Sequence, residues 1–170
     1  MTKDFSGIWK WMLPALIALS MPTACQASLK MRDAKVESRG GVPCFSPAGV
    51  PGGDGESLRV ALIAVSEIHT DGSEAGVVWM ASAGSPEGVV LSRGDCLEYG
   101  RDRGMSADVE AQALQAGKRY EVFLNTDVGV RRDNMRFRSY FCLAGREGES
   151  IVPIQWDEEL GSYPWEKCEP

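Results

Sequence analysis

Residues 114–124 read Leu-Gln-Ala-Gly-Lys-Arg-Tyr-Glu-Val-Phe-Leu. A turn comes first, carried by Gly117, and strict alternation follows. Tyr120, Val122 and Leu124 fall on one face of an extended strand, because side chains along a strand alternate with a period of two. A pattern of the form L-x-x-G-x-x-Y-x-V-x-L has a particular use in β-proteins. The tyrosine hydroxyl bonds back to the backbone a few residues upstream and locks the connection entering the strand, a tyrosine corner. Leu114 is then expected to plug the core while Tyr120 fixes the crossover. The plainer reading of the same residues is an ordinary strand start with a half-buried tyrosine.

Period-two segments recur on both sides of this stretch. Downstream, residues 136–143 put Arg136, Arg138 and Tyr140 on one side and Phe137, Ser139 and Phe141 on the other. Upstream, residues 58–68 form the longest apolar run of the folded part, and their flanking turn signals predict a central buried strand rather than a helix. Residues 34–38, 42–45, 76–81, 88–91 and 95–99 read as shorter extended pieces. Pro43 suits an edge, and Trp79 is a candidate core anchor. Over residues 105–113, Val109, Ala111 and Ala113 alternate with Asp108, Glu110 and Gln112. The same residues form helices well, with Ser106 as a cap, but a strand is expected. Residues 49–55, 70–73, 84–86 and 127–134 read as turns or loops, and 151–156 as a piece packed along an edge. The 19 Gly and 9 Pro supply the punctuation between short strands. The expected fold is all-β: an immunoglobulin-like or fibronectin-like β-sandwich of about seven strands. It would span residues 31–145, with the tail 146–170 packed on it.

The chain has 170 residues, and its first 27 look like a targeting segment. Roughly 145 remain to fold, enough for one ordinary domain. Lys3 and Lys10 flank the start of an apolar run, residues 11–21, of signal-peptide length and too short to span a bilayer. Pro22-Thr23-Ala24-Cys25-Gln26-Ala27 follows, and two processing routes compete. Cleavage after Ala27 would release an ordinary exported protein. Cleavage before Cys25 would make that cysteine the lipid-modified first residue. Thr23 and Ala24 fit the lipoprotein motif; Pro22 departs from it, standing where a Leu-like residue is usual.

Five cysteines are present: Cys25, Cys44, Cys96, Cys142 and Cys168. Either route removes Cys25 from the folding problem, and four cysteines in an oxidising compartment suffice for two disulfides. Three pairings are open. The pairing expected is Cys44–Cys96 with Cys142–Cys168, the second pinning the tail to the last strand of the sandwich. No two cysteines lie close in sequence and His69 is the sole histidine, so no metal site is expected, nor any cofactor.

The formal charge is −6; the leader contributes +1, which leaves −7 on the remainder. An acidic domain repels phosphate backbones, so nucleic acid is an unfavourable partner. A search for catalytic groups finds little. His69 stands beside a Thr-Asp-Gly turn and reads as a solvated turn residue. Gly84-Ser85-Pro86-Glu87-Gly88 imitates a nucleophile elbow with its serine one place early. Gly52-Gly53-Asp54-Gly55 lacks the Lys and Ser/Thr of a phosphate loop, and Asp54 with Glu56 falls short of a calcium shell. The expectation is a binding protein, not an enzyme.

Two surfaces are candidates for binding. The tail carries Trp156, Asp157, Glu158, Glu159 and Trp165, aromatics among carboxylates, the composition of an interface that meets a basic groove. The competing reading has Trp156 and Trp165 covering the core while the charges face water. Arg131, Arg132, Arg136 and Arg138 form the second cluster, suited to an acidic partner or simply to a charged, protected edge.

Six short segments, taken in order, carry a resemblance. They are the leader ending in Cys25, "GGVPCF" at 40–45, "VVWMAS" at 77–82, "LSRGDCLEYG" at 91–100, "LQAGKRYEVFL" at 114–124 and "YFCL" at 140–143. Together they resemble the small periplasmic lipoproteins assigned to type VI secretion immunity, over about residues 34–143. The resemblance implies that Cys44, Cys96 and Cys142 are framework residues and that Cys25 is lipidated. It places the protein in the periplasm, on the inner face of the outer membrane if anchored and soluble otherwise. The tail with Cys168 is an addition to the shared pattern. The function implied is neutralisation of a toxic effector protein by occlusion. A structural or accessory envelope lipoprotein is the alternative reading, and a hydrolase with an unrecognised carboxylate site the third.

Overall fold

The computed structural model describes residues 31–49, 58–84, 88–101, 103–127, 135–145 and 150–169. Ten strands make up this part: β1 (Met31–Arg39), β2 (Val42–Pro47), β3 (Leu58–Ile68), β4 (Glu74–Ser82), β5 (Val89–Leu91), β6 (Leu97–Glu98), β7 (Ser106–Val109), β8 (Arg119–Asp127), β9 (Met135–Ala144) and β10 (Ser150–Ile154). A 3-10 turn, Trp165–Cys168, closes the chain. The protein is all-β, as the alternation predicts. In place of about seven strands in two stacked sheets, ten are hydrogen-bonded into one curled sheet, in the order β6-β2-β1-β9-β8-β3-β4-β7. β10 joins the free part of β9, and β5 that of β3.

The apolar run at 58–68 is an inner strand of the sheet, flanked by β8 on one side and by β4 and β5 on the other. Its buried residues are not evenly spaced. Val60 is followed by Ile63 and Val65. A register shift between Val60 and Leu62 accounts for the gap: one extra residue flips the pleat, so the core face resumes one position later. β8 needs no such device. Tyr120, Val122, Leu124 and Thr126 are all buried on one side.

β1 makes the sheet curl. Met31–Asp33 run parallel to Arg136–Arg138 of β9, and from Ala34 onward the strand pairs with β2 instead. That change of partner carries β1, β2 and β6 over the core face. Val36, Phe45 and Leu97 are buried in the same cluster as Phe137 and Phe141, and the Phe45 and Phe141 rings lie 5.4 Å apart. Pro43 is not on a simple edge strand. β2 has neighbours on both sides, but β6 covers only Cys44 and Phe45, so Pro43 lies outside that pairing.

Beyond Val109 the chain leaves the sheet, so the strand predicted for 105–113 is short. It meets β4 again at Gln112, whose N–H donates to the Val78 carbonyl. Tyr99 clamps this return, its hydroxyl 2.8 Å from the Gln112 carbonyl and its ring edge-on to Trp79. Burial pushes the Tyr99 hydroxyl up to about 12.

Both disulfides are those expected. Cys44–Cys96 ties β2 to the segment before β6, and Cys142–Cys168 ties β9 to the final 3-10 turn, with Cα–Cα distances of 5.5 and 5.7 Å.

Candidate functional site

The tyrosine motif is structural. The Gln115 N–H donates to the Tyr120 hydroxyl at 2.9 Å, the geometry of a tyrosine corner. Leu114 packs against the core but stays partly exposed. Cys25, Asp54, Glu56, Ser85, Arg131 and Arg132 lie outside the described residues. His69 sits in a tight turn, its N–H donating to the Ser73 carbonyl and its carbonyl accepting from Gly72. Among the described residues no three His, Cys, Asp or Glu side chains converge on a metal position.

The tail is the distinctive surface. β10 ends at Ile154, and the chain then reverses over residues 157–162. The Asp157 N–H donates to the Ser162 carbonyl at 3.0 Å. The Asp157 carboxylate folds back and accepts from the N–H groups of Glu159 and Leu160, at 2.9 and 3.0 Å. Gly161 takes the left-handed conformation the reversal needs, φ +61°. Asp157 is therefore the brace of the turn. Glu158, Glu159 and Leu160 are exposed on it. Leu160 is 63% exposed and Trp156, at the base, 54%. Two apolar side chains of this size, more than half in water beside two carboxylates, leave much of their surface unburied by the fold.

Trp165 belongs to a different environment. It packs with Tyr140, Val152 and Tyr163 around Cys142, Ile154 and Cys168, a small second core under the disulfide. Tyr163 sits at the centre of an aromatic cluster, its ring 4.7 Å from Tyr140, 5.2 Å from Trp156 and 6.1 Å from Trp165. The Arg119 guanidinium lies over Trp165, 4.9 Å from the ring centre. Of the two tryptophans, Trp165 covers a core, as one reading of the tail expected of both, while Trp156 stays more than half exposed.

Between the start of β1, the middle of β9 and this tail lies a cleft of about 500 Å³. It lies where β1 and β10 take successive stretches of one side of β9. β1 pairs as far as Arg138 and β10 from Tyr140 onward. Of the arginine cluster, Arg138 reaches this cleft, and its Nε is 3.1 Å from the Glu121 carboxylate. Arg136 is half-buried on β9 and leaves its Nε without a hydrogen-bond partner.

The residues the alternation misses are Leu160, Tyr163 and Arg119. The spacing of Asp157 and Gly161 is a turn signal that would have put Leu160 on a tip. Arg119 on Trp165 joins positions far apart in sequence and leaves no local trace.

No protein-family model matches the chain, and neither a curated protein nor a solved structure matches it.

Proposed function

We propose that the chain is an exported binding protein of the immunity kind, held in the periplasm and anchored there when Cys25 is lipidated. It captures a toxic protein that acts in that compartment and blocks it by occlusion. The docking element is the loop from Trp156 to Leu160. One observation carries this reading: two large exposed apolar side chains flank two carboxylates on a short loop that is braced by Asp157 and stapled behind by Cys142–Cys168. A loop held in place before binding loses little conformational freedom on binding, and occlusion requires no reactive group on this side of the interface. The negative charge of the domain favours a basic partner surface.

The test uses the oxidised protein recovered from the periplasm as bait for proteins secreted by its own source. The expected result is one stoichiometric partner that is toxic when sent to the periplasm and is silenced by co-expression of this chain. Changing Trp156 and Leu160 together to Ala should abolish protection while the fold stays intact. Protection unaffected by that double change would remove the loop from the interface. The absence of any toxic partner would remove the immunity reading.

A further inference from the structure

We propose that the cleft beside the docking loop is a receptor for an arginine side chain of the partner protein. The proposal rests on the reading of 156–160 as a docking loop and specifies what that loop's neighbour takes up. Three aromatic rings line the cleft, Tyr140, Trp156 and Tyr163, together with the carboxylates of Asp33 and Glu158. Aromatic faces attract a guanidinium through the ring quadrupole, and carboxylates complete the match by accepting its paired N–H groups.

The same aromatic cluster already holds one guanidinium. Arg119 stacks on Trp165, which is not part of the cleft lining. Among the described residues no cation stacks on Tyr140, Trp156 or Tyr163. Two arginines of the chain also line the cleft. Arg138 pairs with Glu121 and donates a hydrogen bond to the Tyr140 hydroxyl, at the edge of that ring rather than over its face. Arg32 offsets one of the two carboxylates, so the charge left to a ligand is negative. Asp33 and Glu158 make no ion pair within the described residues. A planar cation bearing donors fits this lining better than a sugar. A sugar would use the rings but leave the remaining carboxylate charge unanswered. Lysine would supply charge without the planar stack and should bind more weakly.

The experiment is a titration of the full oxidised protein, observed by NMR at the Trp156 indole and at Asp33, Glu158 and Tyr163. N-acetyl-arginine amide is the probe, and N-acetyl-citrulline amide, its neutral isostere, is the control. Saturable millimolar shifts with the arginine compound, confined to these residues, are expected, with at least tenfold weaker response to citrulline. Glu158→Gln should weaken binding several-fold, and Trp156→Ala should abolish it; both positions are exposed, so the spectrum of the sheet serves as the control for folding. Equal response to both compounds would overturn the proposal, as would shifts only with an N-acetylglucosamine trimer. Arginine binding without any toxic partner would sustain the cleft assignment and sink the immunity reading. A toxin complex whose affinity Glu158→Gln leaves unchanged would do the opposite.

Discussion

At the scale of single residues, two side chains separate what holds the fold from what burdens it. The Tyr120 hydroxyl satisfies the Gln115 N–H across the turn. A net hydrogen bond of this kind contributes about 1 kcal/mol. Tyr120→Phe keeps the buried ring and loses only the bond, so urea unfolding should show a loss near that size; an unchanged midpoint would mean that the bond adds nothing. Glu121 behaves differently. Burial raises its carboxyl above the ordinary 4.5, and the raised value persists although Arg138 and the Tyr140 hydroxyl favour the charged form. A carboxyl whose folded value exceeds its unfolded one makes the fold hold the proton more tightly. Stability is then lost as pH rises from about 4.5 through the folded value. Glu121→Gln removes that loss. The variant should therefore gain on the wild type between pH 4 and pH 7 in denaturant titrations. A relative gain toward acid instead would show that the Arg138 pair outweighs burial. Tyr120 was legible because its partner is five residues away; Glu121 was not, because its burial depends on strands distant in sequence.

At the scale of elements, the tail is the sharpest case. Trp156 and Trp165 lie nine positions apart among similar neighbours, and composition treats them alike. Trp165→Ala should cost about 2 kcal/mol, since it opens the small core under Cys142–Cys168. Trp156→Ala should cost less than about 0.5 kcal/mol, as surface changes do, because most of that ring is already in water. Thermal unfolding of the two variants side by side checks this, and equal losses would place Trp156 in the core as well. The strands themselves were largely legible. β3, β8 and β9 each fall where alternation or a long apolar run puts them. The short elements were not. β6 has two residues and β5 three, too few for a period to show, and both exist because a longer strand offers them an unpaired edge. β7 stops early because Tyr99 and Val78 hold the chain at Gln112, a constraint that nothing within residues 105–113 announces.

At the scale of the molecule, the two disulfides divide the labour. Cys44–Cys96 closes a separation of 52 residues and holds the β1-β2-β6 layer over the core; Cys142–Cys168 closes 26 and holds the tail against β9. Loop-closure entropy assigns them about 4 and about 3.5 kcal/mol. The similar energies conceal different consequences. Without Cys44–Cys96, Phe45 and Leu97 still pack on Phe141 and its neighbours, but the layer carrying them can open, so protection should fall across the whole sheet. Without Cys142–Cys168, the main core is untouched and only the satellite core loosens. Amide exchange on the two Cys→Ser double variants separates these outcomes. The Cys142/Cys168 variant should lose protection from 155 to 168 while β3 and β8 keep theirs; on the proposed function it should also bind the captured protein more weakly, because the loop must then be ordered during binding. The Cys44/Cys96 variant should lower protection everywhere and leave affinity, measured on the folded fraction, nearly unchanged. If the tail stays protected without its disulfide, the loop is held by Tyr140, Tyr163 and Trp165 alone, and the staple serves stability rather than presentation.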